Sequence, residues 1–153
     1  MRVADLVRWV DYLVARPDLR PDRLAAVGVS LGGELAVLLA ALDERVGAVI
    51  PAGFVRTILD ELHGSAFCAC MYQPDLFAEF DLPEIAGLVA PRPLLVQSGD
   101  RDPLYPRANA EAGVARLREI YAAAGGRLET SFFPGLHELD GPGAIAWLRR
   151  VWG

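Results

Sequence analysis

Two glycines, a serine and a distant histidine define the chemistry open to this chain. Val27-Gly28-Val29-Ser30-Leu31-Gly32-Gly33 reads Gly-x-Ser-x-Gly, with the apolar run Leu24-Ala25-Ala26-Val27 before it and the helix-forming run Glu34 to Leu42 after it. A strand, a sharp turn carrying serine and a helix make a nucleophile elbow. Gly28 and Gly32, two residues either side of Ser30, are expected where a side chain would collide with a neighbouring element. The alternative for Ser30 is a plain helix cap.

A serine hydroxyl is a poor nucleophile until a base takes its proton, so a histidine is needed. The chain has two, His63 and His137. His137 follows the last expected strand, at the edge where parallel sheets gather their sites. His63 ends an expected helix and is read as an ordinary residue. The base in turn needs a carboxylate on its other ring nitrogen. Asp100 and Asp102 share the loop after the third expected strand. Asp102 is taken as the acid, because Asp100 is closer to the strand end and better placed to brace the turn. Glu138 and Asp140 flank His137 and are expected to point away or cap the last helix. The backbone N–H of Leu31, at a helix N-terminus, is the expected oxyanion donor.

Other chemistry-bearing residues carry less. Cys68-x-Cys70 has poor spacing for a disulfide, and no second Cys/His pair completes a zinc site, so two packed thiols are expected, with no metal and no cofactor. Tyr72, Tyr105 and Phe54 are assigned either to an acyl pocket or to the core. Trp9, Trp147 and Trp152 lie on expected helices, as core or interface residues.

The elements that must position these groups follow from periodicity. Val3, Leu6, Val7, Val10, Leu13 and Val14 recur at helical spacing opposite Arg2, Asp5, Arg8 and Asp11, and this helix ends near Ala15-Arg16. Strands are expected at 24–29, 46–50, 93–97 and 128–133. The first is apolar throughout, as befits a strand covered on both faces, and Pro51 ends the second. Helices are expected at 55–62, 84–89 after the Asp81 cap, 107–124 closed by Gly125-Gly126, and 143–152. The helix after Ser30 is apolar nearly all round and therefore expected to be buried. Residues 64–74 read as a loop. Strands separated by helices imply an α/β architecture of about four parallel strands joined by right-handed crossovers.

With 153 residues the chain is read as one domain, 1–153, expected in the cytoplasm. A net charge of −5 without a basic cluster argues against nucleic acid. Leu35 to Leu42 is too short to span a bilayer, and Met1-Arg2 leads straight into an amphipathic helix rather than a signal peptide. Apolar residues make up 53% of the chain, enough to suggest surface that a monomer could not easily hide.

The chain resembles the C-terminal part of an α/β-hydrolase, and is similar to the acetyl xylan esterase/dienelactone hydrolase-like group. The resemblance rests on Gly28-Val29-Ser30-Leu31-Gly32-Gly33, Leu42-Asp43-Glu44-Arg45-Val46 and Cys68-Ala69-Cys70-Met71-Tyr72-Gln73-Pro74. It also rests on residues 85–93, Gly99-Asp100-Arg101-Asp102-Pro103-Leu104-Tyr105-Pro106 and Gly135-Leu136-His137-Glu138. It implies helices on both sheet faces, a triad of Ser30, Asp102 and His137, and hydrolysis of short, acetyl-type esters through an acyl-enzyme. A serine peptidase and a catalytically silent interaction domain are the alternatives. Such hydrolases have about four further strands before the elbow, and a loop there supplies the second oxyanion donor. Without those strands, 24–29 would be an exposed edge, so a homodimer through that edge or the adjacent helices is expected.

Overall fold

The computed structural model describes residues 2–58 and 74–153. Helix α1 (Arg2–Val14) leads through a short 3₁₀ turn to β1 (Leu24–Val29), α2 (Leu31–Leu42) and β2 (Val46–Ala52). After residue 73 come α3 (Pro74–Phe77), α4 (Leu82–Gly87), β3 (Leu94–Gly99), α5 (Arg107–Ala124), β4 (Leu128–Phe133) and α6 (Gly141–Trp152). The four strands form one parallel sheet in the order β1-β2-β3-β4. His63, Cys68, Cys70 and Tyr72 lie outside the described residues, as do half of the expected helix 55–62 and nearly all of the 64–74 loop.

Helices cover both faces, unequally. On one side Val10 of α1, Val37 and Ala40 of α2, Ile85 of α4, and Val114 and Leu117 of α5 pack on Val46, Val49, Leu94 and Val96. On the other, α6 is the only helix among the described residues that lies on the sheet, through Ala144 and Trp147 against Ala48, Ile50 and Leu95. The Trp147 indole N–H, which burial would otherwise strand, donates to Glu129 of β4 at 2.9 Å. Trp147 is thus a core residue, whereas Trp9 is exposed on α1 and Trp152 half-buried.

Three sequence expectations need correction. Strand β1 is not covered on both faces: it is a sheet edge, Ala25 is exposed and Val27 is 41% exposed. These two side chains share a face with Ala48 and Ile50, their partners on β2, beyond the reach of α6. Strand β2 does not stop at Pro51 but continues to Ala52. Proline removes one donor, yet Val49 and Gly53 on either side still donate to the Pro93 and Gln97 carbonyls, at 3.1 and 2.9 Å. The third correction concerns the elbow and is given with the site.

Arg92, in the loop entering β3, binds several segments together. Its guanidinium donates to the carbonyls of Ala40, Val46, Asp43 and Val89, at 2.6, 2.9, 3.2 and 3.2 Å. The C-terminus of α2 leaves carbonyls without helical partners, and a cation there is doubly suited to donate to them. Nearby, Asp43 accepts two side-chain bonds from Arg45, which also reaches Asp11 of α1 at 2.8 Å.

Candidate active site

Ser30 stands between β1 and α2 with φ 55° and ψ −121°, the only positive φ of a non-glycine residue among those described. Such backbone costs on the order of 1–3 kcal/mol and persists only where the surroundings enforce it. They do so here: the Ser30 N–H donates to the Ala52 carbonyl at 2.9 Å, and its own carbonyl accepts from Gly33 and Glu34. The side chain makes no capping bond, so Ser30 is not a plain helix cap. Leu31 begins α2, where an N–H has no carbonyl a turn earlier to bind.

The elbow glycines divide their roles differently from the expectation. A Cβ on Gly28 would lie 2.1 Å from the Gly32 carbonyl oxygen, so the turn requires glycine there. A Cβ on Gly32 would meet nothing within 4 Å; the crowded neighbour is Gly33, where it would come within 2.9 Å of Phe54 Cβ. The motif spacing is that of an elbow, but the close approach, to the segment that leaves β2, is made one residue later.

The loops after β3 and β4 meet at the same edge of the sheet. Asp100 and Arg101 N–H groups donate to the Phe133 and Gly135 carbonyls at 2.8 and 3.0 Å. This brings Asp102 to His137, with Oδ2 2.7 Å from Nδ1. The Asp102 side chain is fully buried, and its other oxygen accepts from the N–H groups of Leu104 and Tyr105 at 2.8 and 3.0 Å. A buried carboxyl group with hydrogen-bond partners on both oxygens is held in one orientation. With the Nδ1 proton directed at it, His137 presents Nε2 as the basic nitrogen. That nitrogen is buried and has no hydrogen-bond partner among the described residues.

Gly53 joins the serine to this pair. It follows Ala52, the acceptor of the Ser30 N–H, and adopts φ 54°. A Cβ there would stand 2.8 Å from His137 Cε1, so the imidazole lies directly on the glycine.

The remaining candidates fall outside this contact. Asp100 pairs with Arg107 at 2.6 Å. Glu138 accepts from the Leu136 N–H, and Asp140 caps α6 by accepting from Gly143. Tyr105 and Phe54 are both buried; Tyr105 meets the His137 ring at 5.0 Å between centroids. No group of three or more His, Cys, Asp or Glu among the described residues is arranged to hold a metal ion.

Sequence reasoning missed three contributors. Gly53 gave only the sign of a glycine after a strand, and Gln97 that of a polar residue in an apolar strand. Gln97 is buried and exchanges two hydrogen bonds with the Asp140 backbone, at 3.2 and 3.1 Å. Arg56, buried just past β2, carried no sequence signal at all.

A parallel sheet with a serine elbow, an acid loop after the next-to-last strand and a histidine loop after the last is the C-terminal half of an α/β-hydrolase. The sequence model of the prolyl oligopeptidase family matches residues 1–137, and the chain belongs to that family. The Bacillus subtilis (strain 168) protein described as "Putative hydrolase YtaP" is 32% identical over 132 residues, covering 82% of this chain and 43% of that protein. Among solved structures, a glucuronoyl esterase from Solibacter usitatus superposes with TM-score 0.74 at 18% identity, covering 99% of this chain and 48% of the other. An acetyl xylan esterase from Paenibacillus sp. R4 gives 0.68 at 20% identity, covering 98% and 51%. The chain therefore spans about half the length of these relatives. No helix among the described residues is long and apolar enough to cross a membrane.

Proposed function

We infer that this chain carries the catalytic groups of a serine esterase acting on short, acetyl-type carboxylic esters. The observation that carries the reading is His137: Nδ1 is engaged by a buried carboxylate, while Nε2 is buried without a partner among the described residues. An orphaned buried polar atom costs on the order of 1–3 kcal/mol, and its location beside the elbow gives it a use. Nε2 takes the Ser30 proton as Oγ attacks the ester carbonyl. The Leu31 N–H stabilises the oxyanion, and Asp102 stabilises the imidazolium. The proton then passes to the leaving alcohol, and water, deprotonated by His137, releases the acid from Ser30.

Support for esters comes from structural relatives described as glucuronoyl and acetyl xylan esterases. The family's name supports a second reading, hydrolysis of peptide amides by the same three residues. A fluorophosphonate probe read by mass spectrometry, with p-nitrophenyl acetate and a peptide anilide as parallel substrates, tests both. Labelling at Ser30 with acetate turnover, both lost in Ser30→Ala, is the expected result. Anilide cleavage without ester turnover would favour the peptidase. Absence of labelling and turnover would identify a catalytically silent domain.

A further inference from the structure

We propose that Tyr105 is a positioning residue that fixes the plane of the His137 imidazole, with Arg56 packed on the Tyr105 ring. This rests on the reading of His137 as the base. Tyr105 touches both members of the acid–base pair through different groups. Its backbone N–H donates to Asp102 Oδ1 at 3.0 Å. Its ring meets the His137 ring nearly edge-on, 5.0 Å between centroids and 69° between planes. Edge-to-face packing at this separation is an attractive, orientation-dependent contact.

The face of the tyrosine ring carries a cation. The Arg56 guanidinium carbon lies 3.5 Å from the Tyr105 ring centroid, and both residues are buried. Burial strengthens such a cation–π contact, because water no longer competes for the charge. Arg56 is itself fixed, donating to the Phe54 carbonyl at 2.8 Å. Its backbone is pressed against α5 at Gly113, where a Cβ would come within 2.6 Å of Arg56 Cα. A chain of contacts thus runs from helix α5 through Arg56 and Tyr105 to His137.

The arrangement answers a need the hydrogen bonds leave open. The bond from Nδ1 to Asp102 is a single contact on a ring that turns about its Cβ–Cγ bond. A hydrogen bond tolerates some rocking of that ring, which would carry Nε2 away from Ser30. Gly53 closes one side of the ring and Tyr105 supplies a further packing surface.

The test compares Tyr105→Phe, which keeps the ring, with Tyr105→Leu, which removes it. With p-nitrophenyl acetate, Tyr105→Leu should lower kcat about 10–100-fold with KM changed less than about twofold, as misplacement of a base does. Tyr105→Phe should stay within about threefold of the parent. Proton NMR supplies a readout independent of turnover. The downfield His137 Nδ1–H resonance, assigned by its loss in His137→Ala, should broaden or vanish in Tyr105→Leu and persist in Tyr105→Phe. Equal kcat in parent and Tyr105→Leu, or a Phe variant as impaired as Leu, would overturn the proposal. If Tyr105→Leu does not fold, the parent decides: nuclear Overhauser contacts between the Tyr105 and His137 rings are expected, and their absence refutes the contact. A parent that neither labels at Ser30 nor turns over ester fails the esterase reading instead, and the NMR outcome still judges the positioning.

Discussion

Gln97 binds the backbone of Asp140 as one strand binds another: its amide N–H donates to the Asp140 carbonyl, and its amide oxygen accepts the Asp140 N–H. A side chain rooted in the centre of the sheet thereby sets the height of the loop that carries His137. Gln97→Leu fills similar space but leaves both Asp140 groups without these partners. It should cost about 1–3 kcal/mol in stability, read by denaturant unfolding. It should also reduce ester turnover more than twofold at saturating substrate. Unchanged stability would mean that the loop holds its own shape.

The two loop aspartates should separate cleanly. Asp102→Asn leaves the geometry but upsets the tautomer of His137, and should lower kcat by about 10³–10⁴-fold. Asp100→Asn breaks only a partly exposed pair with Arg107 and should stay within about threefold. Steady-state kinetics on both variants checks this, and a reversed order would move the acid to Asp100.

At Gly53 the expected effect is steric and local. Gly53→Ala places a methyl 2.8 Å from His137 Cε1 on a backbone with φ 54°. The ring must yield, so turnover should fall about 100-fold while circular dichroism shows the fold retained. Full activity in this variant would show that the imidazole has room the structure does not reveal.

Asp43 links the pH scale to stability. Hydrogen bonds from the Arg45 guanidinium hold its carboxyl below the usual carboxylate range, outweighing the upward push of burial. The unfolded chain therefore binds this proton at higher pH than the folded protein does. The stabilisation is whole at neutral pH and is lost as pH falls through the folded value. Asp43→Asn should cost about 1 kcal/mol at pH 7, given that Arg45 is partly exposed. The gap between variant and parent in Tm should close as pH falls from about 5 toward 2. A gap that is constant with pH would remove the ion pair as its cause.

The bare margin of β1 leads to a prediction about assembly. Since Ser30 turns its N–H toward β2, alternation directs the N–H and C=O groups of Ala25, Val27 and Val29 outward. No proline or charge in β1 discourages pairing. Two copies meeting antiparallel with Val27 opposite Val27 would pair this edge, giving a sedimenting mass near twice 16.5 kDa at micromolar concentration. A monomer at that concentration would refute self-pairing.

Much of this architecture was written in local pattern. Helix α5 was legible from Arg107 to Ala124 because its periodicity ends at Gly125, which takes the left-handed conformation that stops a helix. Strand β1 was legible as a bounded hydrophobic run, and β4 as a short segment set between Gly125-Gly126 and Pro134-Gly135. The end of β2 was misjudged because proline's effect on a ladder depends on neighbours supplied by another strand. Among site residues, Ser30 is visible in its own spacing, and Asp102 and His137 by their places after strands. Gly53, Gln97, Arg56 and Tyr105 act only through groups brought to them by the fold, so their roles could not be read in sequence.

Arg92 has a consequence for how the molecule breathes. One guanidinium holds the last turn of α2, the start of β2 and the approach to β3, so none of these can fray without releasing the others. Native-state hydrogen exchange should therefore show the amides of Ala40, Asp43, Val46 and Leu94 opening as one cooperative unit. Arg92→Ala would break that unit into separately exchanging ends. The end of the sheet opposite the serine, remote from any chemistry, is thus where the fold is latched.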